Sequence, residues 1–177
     1  MIMTASLVGH KVSLRILTID DVDEKYVGWM NDEETTQFLE SRGRSYSIED
    51  LKNYVEKIKE CKSDVLFGIF ENGNNMHVGN IKIGKIDSFH MHAEVGIMIG
   101  DKGCWGKGYG TEAIGLVLKY AFNELCLNKL TAGMYSENVG AFKSFVNNGF
   151  RKVGVFRKHV LFKGKYIDMI VVERLRI

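Results

Sequence analysis

Seven residues, Trp105-Gly106-Lys107-Gly108-Tyr109-Gly110-Thr111, place glycines at alternate positions between an apolar run, Val95 to Ile99, and a helical pattern. This constrains the chain more than any other feature. A strand must end, the backbone must turn through conformations that side chains disfavour, and a helix must begin at once. Glycine lets a ligand approach the backbone, and the first turn of the helix offers unbonded N–H groups at the positive end of its dipole. Such a loop suits an anion, above all a phosphate.

Two familiar phosphate loops do not fit. A Walker A loop requires Lys after its second glycine, and Tyr109 follows Gly108; a dinucleotide fingerprint requires Gly-x-Gly-x-x-Gly, and Gly106, Gly108 and Gly110 have a different spacing and fall after several strands. On the glycines alone, a mobile surface turn remains an alternative.

The flanking periodicities define a mixed architecture. Lys11 to Leu17 alternates as a strand, and Thr18-x-x-Asp21 reads as a capping box opening a helix to about Met30. Asn31 to Glu40 reads as a short second helix. Ser47 and Asp50 cap a third, with Leu51, Tyr54, Val55, Ile58 and Cys61 on one buried face. Val65 to Phe70 and Val78 to Ile86 form a hairpin around Asn72-Gly73-Asn74-Asn75. Ala93 to Ile99 leads into the glycine loop, and Ala113, Leu116, Val117, Tyr120 and Ala121 give the next helix a buried stripe. Leu130 to Tyr135 is a strand and Ala141 to Asn147 a helix stopped at Asn148-Gly149; Phe150 to Phe162 and Tyr166 to Leu175 close the chain as a hairpin. The fold class is α/β (α+β), in a single domain spanning 1–177.

Composition narrows the function. In 177 residues, 45% hydrophobic and 26% charged, there is one core's worth of apolar side chains. A net charge of +2 with scattered Lys and Arg argues against nucleic acid, and no run of about 20 apolar residues is present for a membrane. Cys61, Cys104 and Cys126 lack disulfide or zinc spacing, which points to a reducing, cytoplasmic setting. His90 and His92 share a strand face without an evident third metal ligand, so they read as surface histidines and no metal is expected. Cys104 beside the loop lacks a neighbouring His to make it a nucleophile.

Trp105 to Ala113 resembles the acetyl-CoA pyrophosphate loop of the GNAT superfamily of N-acetyltransferases, with Trp105 at a position usually held by Gln or Arg. A second motif follows in order: Asn138-x-x-Ala141, then Asn148-Gly149-Phe150. Leu14-Arg15, Trp29 to Glu33, Ala93 to Gly96 and Gly164-x-Tyr166-x-Asp168 are similar to the branch holding the Rim-type ribosomal-protein, spermidine and amino-sugar acetyltransferases. The resemblance implies a GNAT fold: a mixed, mostly antiparallel sheet of about seven strands, splayed between the fourth and fifth. It also implies direct transfer of acetyl from acetyl-CoA to a small-molecule or peptide amine, without a metal.

By that resemblance, Met98 and Ile99 would pair with the pantetheine arm and thioester. Gly106, Gly108, Gly110 and Thr111 would hold the pyrophosphate, with Lys107 and Lys143 adding charge and Asn138 bonding the pantetheine. Because a lysine-like amine has a pKa near 10.4, a base is needed, and Glu94 is the candidate. The position that carries a tyrosine proton donor in many relatives is Phe145, so Tyr135 and Tyr109 become the substitutes, with a water as an equal alternative. The acceptor would lie among Trp29, Asn31, Tyr46, Arg157 and Tyr166, with Asp32 and Glu33 either attracting a cationic amine or capping a helix. An amino sugar or protein N-terminus is favoured, with polyamine third, and a homodimer is compatible with the branch. The alternative, raised by Phe145, is a non-catalytic acyl-CoA-binding sensor.

Overall fold

A computed structural model describes residues 6–176; residues 1–5 and 177, included in the expected domain, lie outside the described residues. Alternation in β2 (Val12–Ile16) buries Val12 and Leu14 completely. A two-residue strand that the sequence did not announce, β1 (Leu7–Val8), pairs beside it.

The Thr18-x-x-Asp21 pair closes only a 3-10 turn, Ile19–Asp21, rather than opening a helix to Met30. Asp21 is held by the Arg15 guanidinium at 2.5 and 2.8 Å and also accepts the Thr18 hydroxyl at 2.9 Å. Val22 is extended, and α1 (Glu24–Asn31) starts afresh on Asp23, whose Oδ1 accepts the Tyr26 N–H at 2.9 Å. The single turn α2 (Glu33–Thr36) is capped by Asp32, and α3 (Ile48–Glu60) opens on the Ser47–Asp50 capping box. Leu51, Val55 and Ile58 form its buried stripe, while Tyr54 and Cys61 remain partly exposed.

The remaining elements are β3 (Val65–Glu71), β4 (Met76–Asp87), β5 (His92–Ile99), α4 (Tyr109–Lys119) with a π turn at Tyr120–Glu124, β6 (Lys129–Tyr135), α5 (Val139–Val146), β7 (Arg151–Phe162) and β8 (Lys165–Leu175). The eight strands lie in the order β1-β2-β3-β4-β5-β6-β8-β7. The eighth strand is β1, so the splay expected between the fourth and fifth strands falls between β5 and β6.

That junction is the one parallel pairing among the described strands, and it is short: His92, Ala93 and Glu94 pair with Lys129, Leu130 and Thr131. Beyond it β6 continues against β8, whereas among the described residues no strand pairs with the Val95–Ile99 edge of β5 that faces β6. Two apolar layers hold the sheet rigid around this opening. On one face α4 packs Ala113, Ile114 and Val117 against Leu14, Phe67, Ile81 and Leu130; on the other, α1 and α3 pack Tyr26, Trp29, Leu51 and Val55 against Leu17 and Leu66. Burying a large aliphatic or aromatic side chain contributes roughly 1.5–3 kcal/mol, so open backbone survives only where the strands part.

Candidate active site

The glycine loop forms a backbone cradle. Gly106 and Gly108 have φ of 75° and 85°, the left-handed region, and Gly108 is the N-cap of α4. The first bond of the helix runs from Glu112 N–H to the Gly108 carbonyl at 3.0 Å, so the N–H groups of Tyr109, Gly110 and Thr111 precede any intrahelical partner. The cap residue has no side chain to occupy them. Lys11, which the sequence did not single out, brings its ammonium 2.8 Å from the Lys107 carbonyl, adding positive charge beside the loop.

Across the cleft, Asn138 caps α5: its Oδ1 accepts the Ala141 N–H at 3.1 Å. The Asn148 Nδ2 donates to both the Thr111 and Ser144 carbonyls at 2.8 Å, and the Thr111 hydroxyl donates to Ser144 Oγ at 3.1 Å. Asn148 therefore does more than stop a helix; it ties the end of α5 to the first turn of α4. Between these elements and the open β5 edge lies a cleft of about 620 Å³. Every residue that the resemblance assigns to acetyl-CoA lines it except Lys107, which lies to the other side with its ammonium 5.9 Å from the Tyr109 ring. Trp105 folds back over the strand end, its indole N–H donating to the Ile99 carbonyl at 2.8 Å. Thr35, Phe38 and Ser144 also line the cleft, and the buried Thr35 hydroxyl has no partner among the described residues.

A second cavity of about 380 Å³ opens on the α1 and α3 face of the sheet and shares Leu39, Ile97 and Met98 with the first. Tyr46 lines it, and Asn31 holds Tyr46 there by two hydrogen bonds of 2.8 Å to its backbone, so one expected substrate residue positions another. Trp29 does not reach this surface: it is buried against Gly100 and the ring of His77, because its size fills the core beneath α1. Arg157 and Tyr166 are exposed on the β7–β8 hairpin and line neither cavity. Asp32 caps Thr35 and bonds Lys102 at 2.9 Å, and Lys102 holds its carboxyl down at about 2.

The candidate proton carriers differ in setting. Glu94 lies on the strand face of Gly96 and Met98, half-exposed and ion-paired with Lys85 at 2.9 Å. Tyr135 is buried between Phe38 and Phe162, and its hydroxyl accepts from Arg42, which also donates to the Leu161 carbonyl at 2.5 Å. The Tyr109 hydroxyl donates to Glu71, whose carboxylate pushes the phenol up to about 12. Phe145 packs edge-on against Phe150, away from the cleft. Burial pushes the Cys104 thiol up, which disfavours the thiolate. His90 and His92 do acquire a third neighbour, Asp87, their ligand atoms lying within 4.8 Å of one another; that carboxylate already accepts the Phe89 and His90 N–H groups.

A strand that parts from its parallel neighbour, beside a glycine-capped helix start and an Asn-capped helix, leaves a cleft between two sheet halves. The chain belongs to the GNAT acetyltransferase family: the acetyltransferase (GNAT) domain matches residues 11–151. It is 31% identical over 170 residues to the probable N-acetyltransferase YjcK of Bacillus subtilis (strain 168), covering 92% of each chain. Its fold matches spermidine N-acetyltransferase from Vibrio cholerae, solved with CoA and spermine, at a TM-score of 0.84, 22% identity and coverage of 93% and 95%. It matches ribosomal-protein-S5-alanine acetyltransferase from Vibrio fischeri at 0.84, with 19% identity and coverage of 97% and 96%. The protein is an N-acetyltransferase by family, and the family uses acetyl-CoA as donor.

Proposed function

We propose that the larger cleft holds acetyl-CoA and the smaller cavity admits a primary amine, so that transfer takes place across the β5 edge where the two meet. The shared wall of Leu39, Ile97 and Met98 carries this reading, since donor and acceptor can approach one another only where both cavities border the same open backbone. The fit to the donor rests on the cradle: positive φ at Gly106 and Gly108 and three unbonded N–H groups match a pyrophosphate, and a side chain at either glycine would strain that turn. Lys11 and Lys143 add charge. The Nδ2 of Asn138, left over from its cap, faces the donor's neutral arm in this reading.

Bound there, acetyl-CoA supplies an activated acetyl thioester. N–H groups alternate across a strand, and because the Gly100 N–H donates to the Val78 carbonyl on β4, it is the Ile99 N–H, not that of Met98, that faces the opening where oxygen charge develops. Glu94 lines neither cavity and takes the amine proton through a chain of waters, because four residues of strand, about 13 Å, separate it from Met98. The leaving thiol has an acidity close to cysteine's, about 8.5, so its departure demands little from an acid; Tyr135 lines neither cavity and its hydroxyl accepts from Arg42, so water is the readier source of that proton. The acceptor is an amino sugar or protein N-terminus in preference to a polyamine. The cysteines are free thiols, which supports a reducing cytoplasm.

Thiol release from acetyl-CoA, measured against a panel of amines with mass-spectrometric detection of product, tests the proposal. Acetylated product from at least one amine is expected. Tight CoA binding with no transfer to any amine would favour the sensor instead.

A further inference from the structure

We infer that the smaller cavity selects an amine with a hydrogen-bond-accepting oxygen on the carbon next to its amine-bearing carbon, as a peptide N-terminus or an amino sugar has, and discriminates against polyamines. This rests on the placement of the acceptor in that cavity. The observation that carries it is Asn80, which lines the cavity, is 7% exposed and has no partner for its Nδ2 among the described residues. A buried donor left unpaired is costly, and such groups in native proteins call for an explanation. Asn80 sits opposite Met98 in the β4–β5 pairing, one strand from the edge where the cavities meet.

The amide's orientation is fixed from behind. His77 Nε2 lies 2.9 Å from Asn80 Oδ1 and 3.0 Å from the Gly79 carbonyl oxygen. Both are acceptors, so Nε2 carries the proton and Oδ1 is consumed. Reversing the amide would set two donors against each other. His77 cannot swing away, being stacked on Phe70 at 5.0 Å and edge-on to Trp29 at 5.0 Å, and burial pushes its pKa down and favours the neutral ring. Nδ2 is therefore the end of the amide left without a partner.

The surroundings repeat this polarity. Lys82, two residues along the same strand face, places a second donor in the wall, with its ammonium 3.5 Å from Asp64. Met30, Leu51 and Leu66 make an apolar floor, and Glu40, exposed, is the one carboxylate among the lining residues. A polyamine offers only donors, which leave the Asn80 Nδ2 unpaired. An amine with an adjacent carbonyl or hydroxyl oxygen supplies the acceptor that Asn80 lacks.

The test measures kcat/KM at saturating acetyl-CoA for alanine amide, glucosamine, spermidine and propylamine, which has no oxygen. An oxygen-bearing amine should lead spermidine and propylamine by at least ~10–100-fold, since sites built to bond an oxygen reject analogues lacking it. Alanine amide against glucosamine tells which source supplies the oxygen. Asn80→Leu should shrink the lead to within about threefold, through KM, with the acetyl-CoA Kd unchanged. Spermidine or propylamine used as well as the oxygen-bearing amines would overturn the inference and leave the acetyltransferase proposal standing. No transfer to any amine would overturn both. The wild-type comparison decides the matter even if Asn80→Leu does not fold.

Discussion

Trp29 rests on the bare α-carbon of Gly100: a Cβ at that glycine would lie 2.1 Å from the indole. The contact welds α1 to the residue that follows β5, so the core beside the smaller cavity and the end of β5 are set by one fit. Gly100→Ala must displace a rigid ring, because the three nearest atoms all belong to the indole. A loss of about 1–3 kcal/mol is expected. With roughly 2–4 °C per kcal/mol for a domain of this size, calorimetry should show a clear fall in Tm. An unchanged Tm would mean that Trp29 is not clamped there.

Glu112 ties the start of the chain to α4 by accepting the N–H groups of His10, Lys11 and Val12 at 2.9, 2.7 and 2.8 Å. Burial alone would raise its pKa, but these three bonds outweigh burial and lower it below the ordinary 4.5. A depressed carboxyl contributes stability that is complete above its unfolded value and is lost as pH falls through the folded one. Glu112→Gln should therefore cost about 2 kcal/mol near pH 7. Urea titrations should show that deficit narrowing below about pH 4. A deficit independent of pH would assign the loss to packing rather than charge.

The parts of the site that sequence revealed are those made by neighbours. Gly106 and Gly108 adopt positive φ because the turn into α4 demands it locally, and Asn138 caps Ala141 three residues on. What stayed hidden depends on distant pairings. Lys11 reaches the carbonyl of Lys107 across 96 positions, and Glu112 finds its partners about a hundred residues away. Trp29 reads as a substrate aromatic until β5 delivers Gly100 beneath it. Asn80 looks like any polar residue in a strand until β4 pairs it with Met98 and His77 takes up its oxygen. The helix start differs for a local reason: Val22 is extended after the Thr18–Asp21 turn, and Asp23 caps a new helix three residues before Tyr26.

Gly108→Ala separates the cradle from the fold. At φ 85° an alanine is strained by about 1–2 kcal/mol, and its Cβ would sit 3.4 Å from the Lys11 ammonium. The expected outcome is an acetyl-CoA Kd raised about tenfold or more, a 1.4 kcal/mol effect. By calorimetric titration, adenosine should lose nothing, because the damage falls on the pyrophosphate cradle. Equal losses for both ligands would remove the loop from that role.

Glu94→Gln keeps the size of the side chain and removes its basicity, at a position whose ion pair with Lys85 is exposed and contributes little to folding. If Glu94 takes the amine proton, kcat/KM should fall by about 100-fold near pH 7. The deficit should shrink as pH rises toward the acceptor's own pKa, about 8 for an α-amine, where the amine reaches the site already neutral. A pH profile displaced uniformly, without that convergence, would reduce Glu94 to a positioning role.

The splay is bridged from outside by Arg42, which donates to Tyr135 on β6 and to the Leu161 carbonyl on β7, while Phe38 stacks on Phe162 at 5.4 Å. This strap runs from the segment after α2 to the far half of the sheet, over the opening that β5 and β6 leave. A tyrosine that only anchors the strap and one that protonates the leaving thiolate respond differently to substitution. In the first case Tyr135→Phe and Arg42→Gln weaken the same contact. Their double variant should then fall short of the sum of the two effects on kcat/KM by ~0.5–3 kcal/mol. In the second case Tyr135→Phe alone should lower kcat by about 100-fold while Arg42→Gln does not, and only Tyr135→Phe should remove the high-pH limb of the rate profile. Because the Tyr135 hydroxyl accepts from Arg42 and lines neither cavity, the coupled, strap-like outcome is expected, measured as steady-state rates of the four proteins in one cycle.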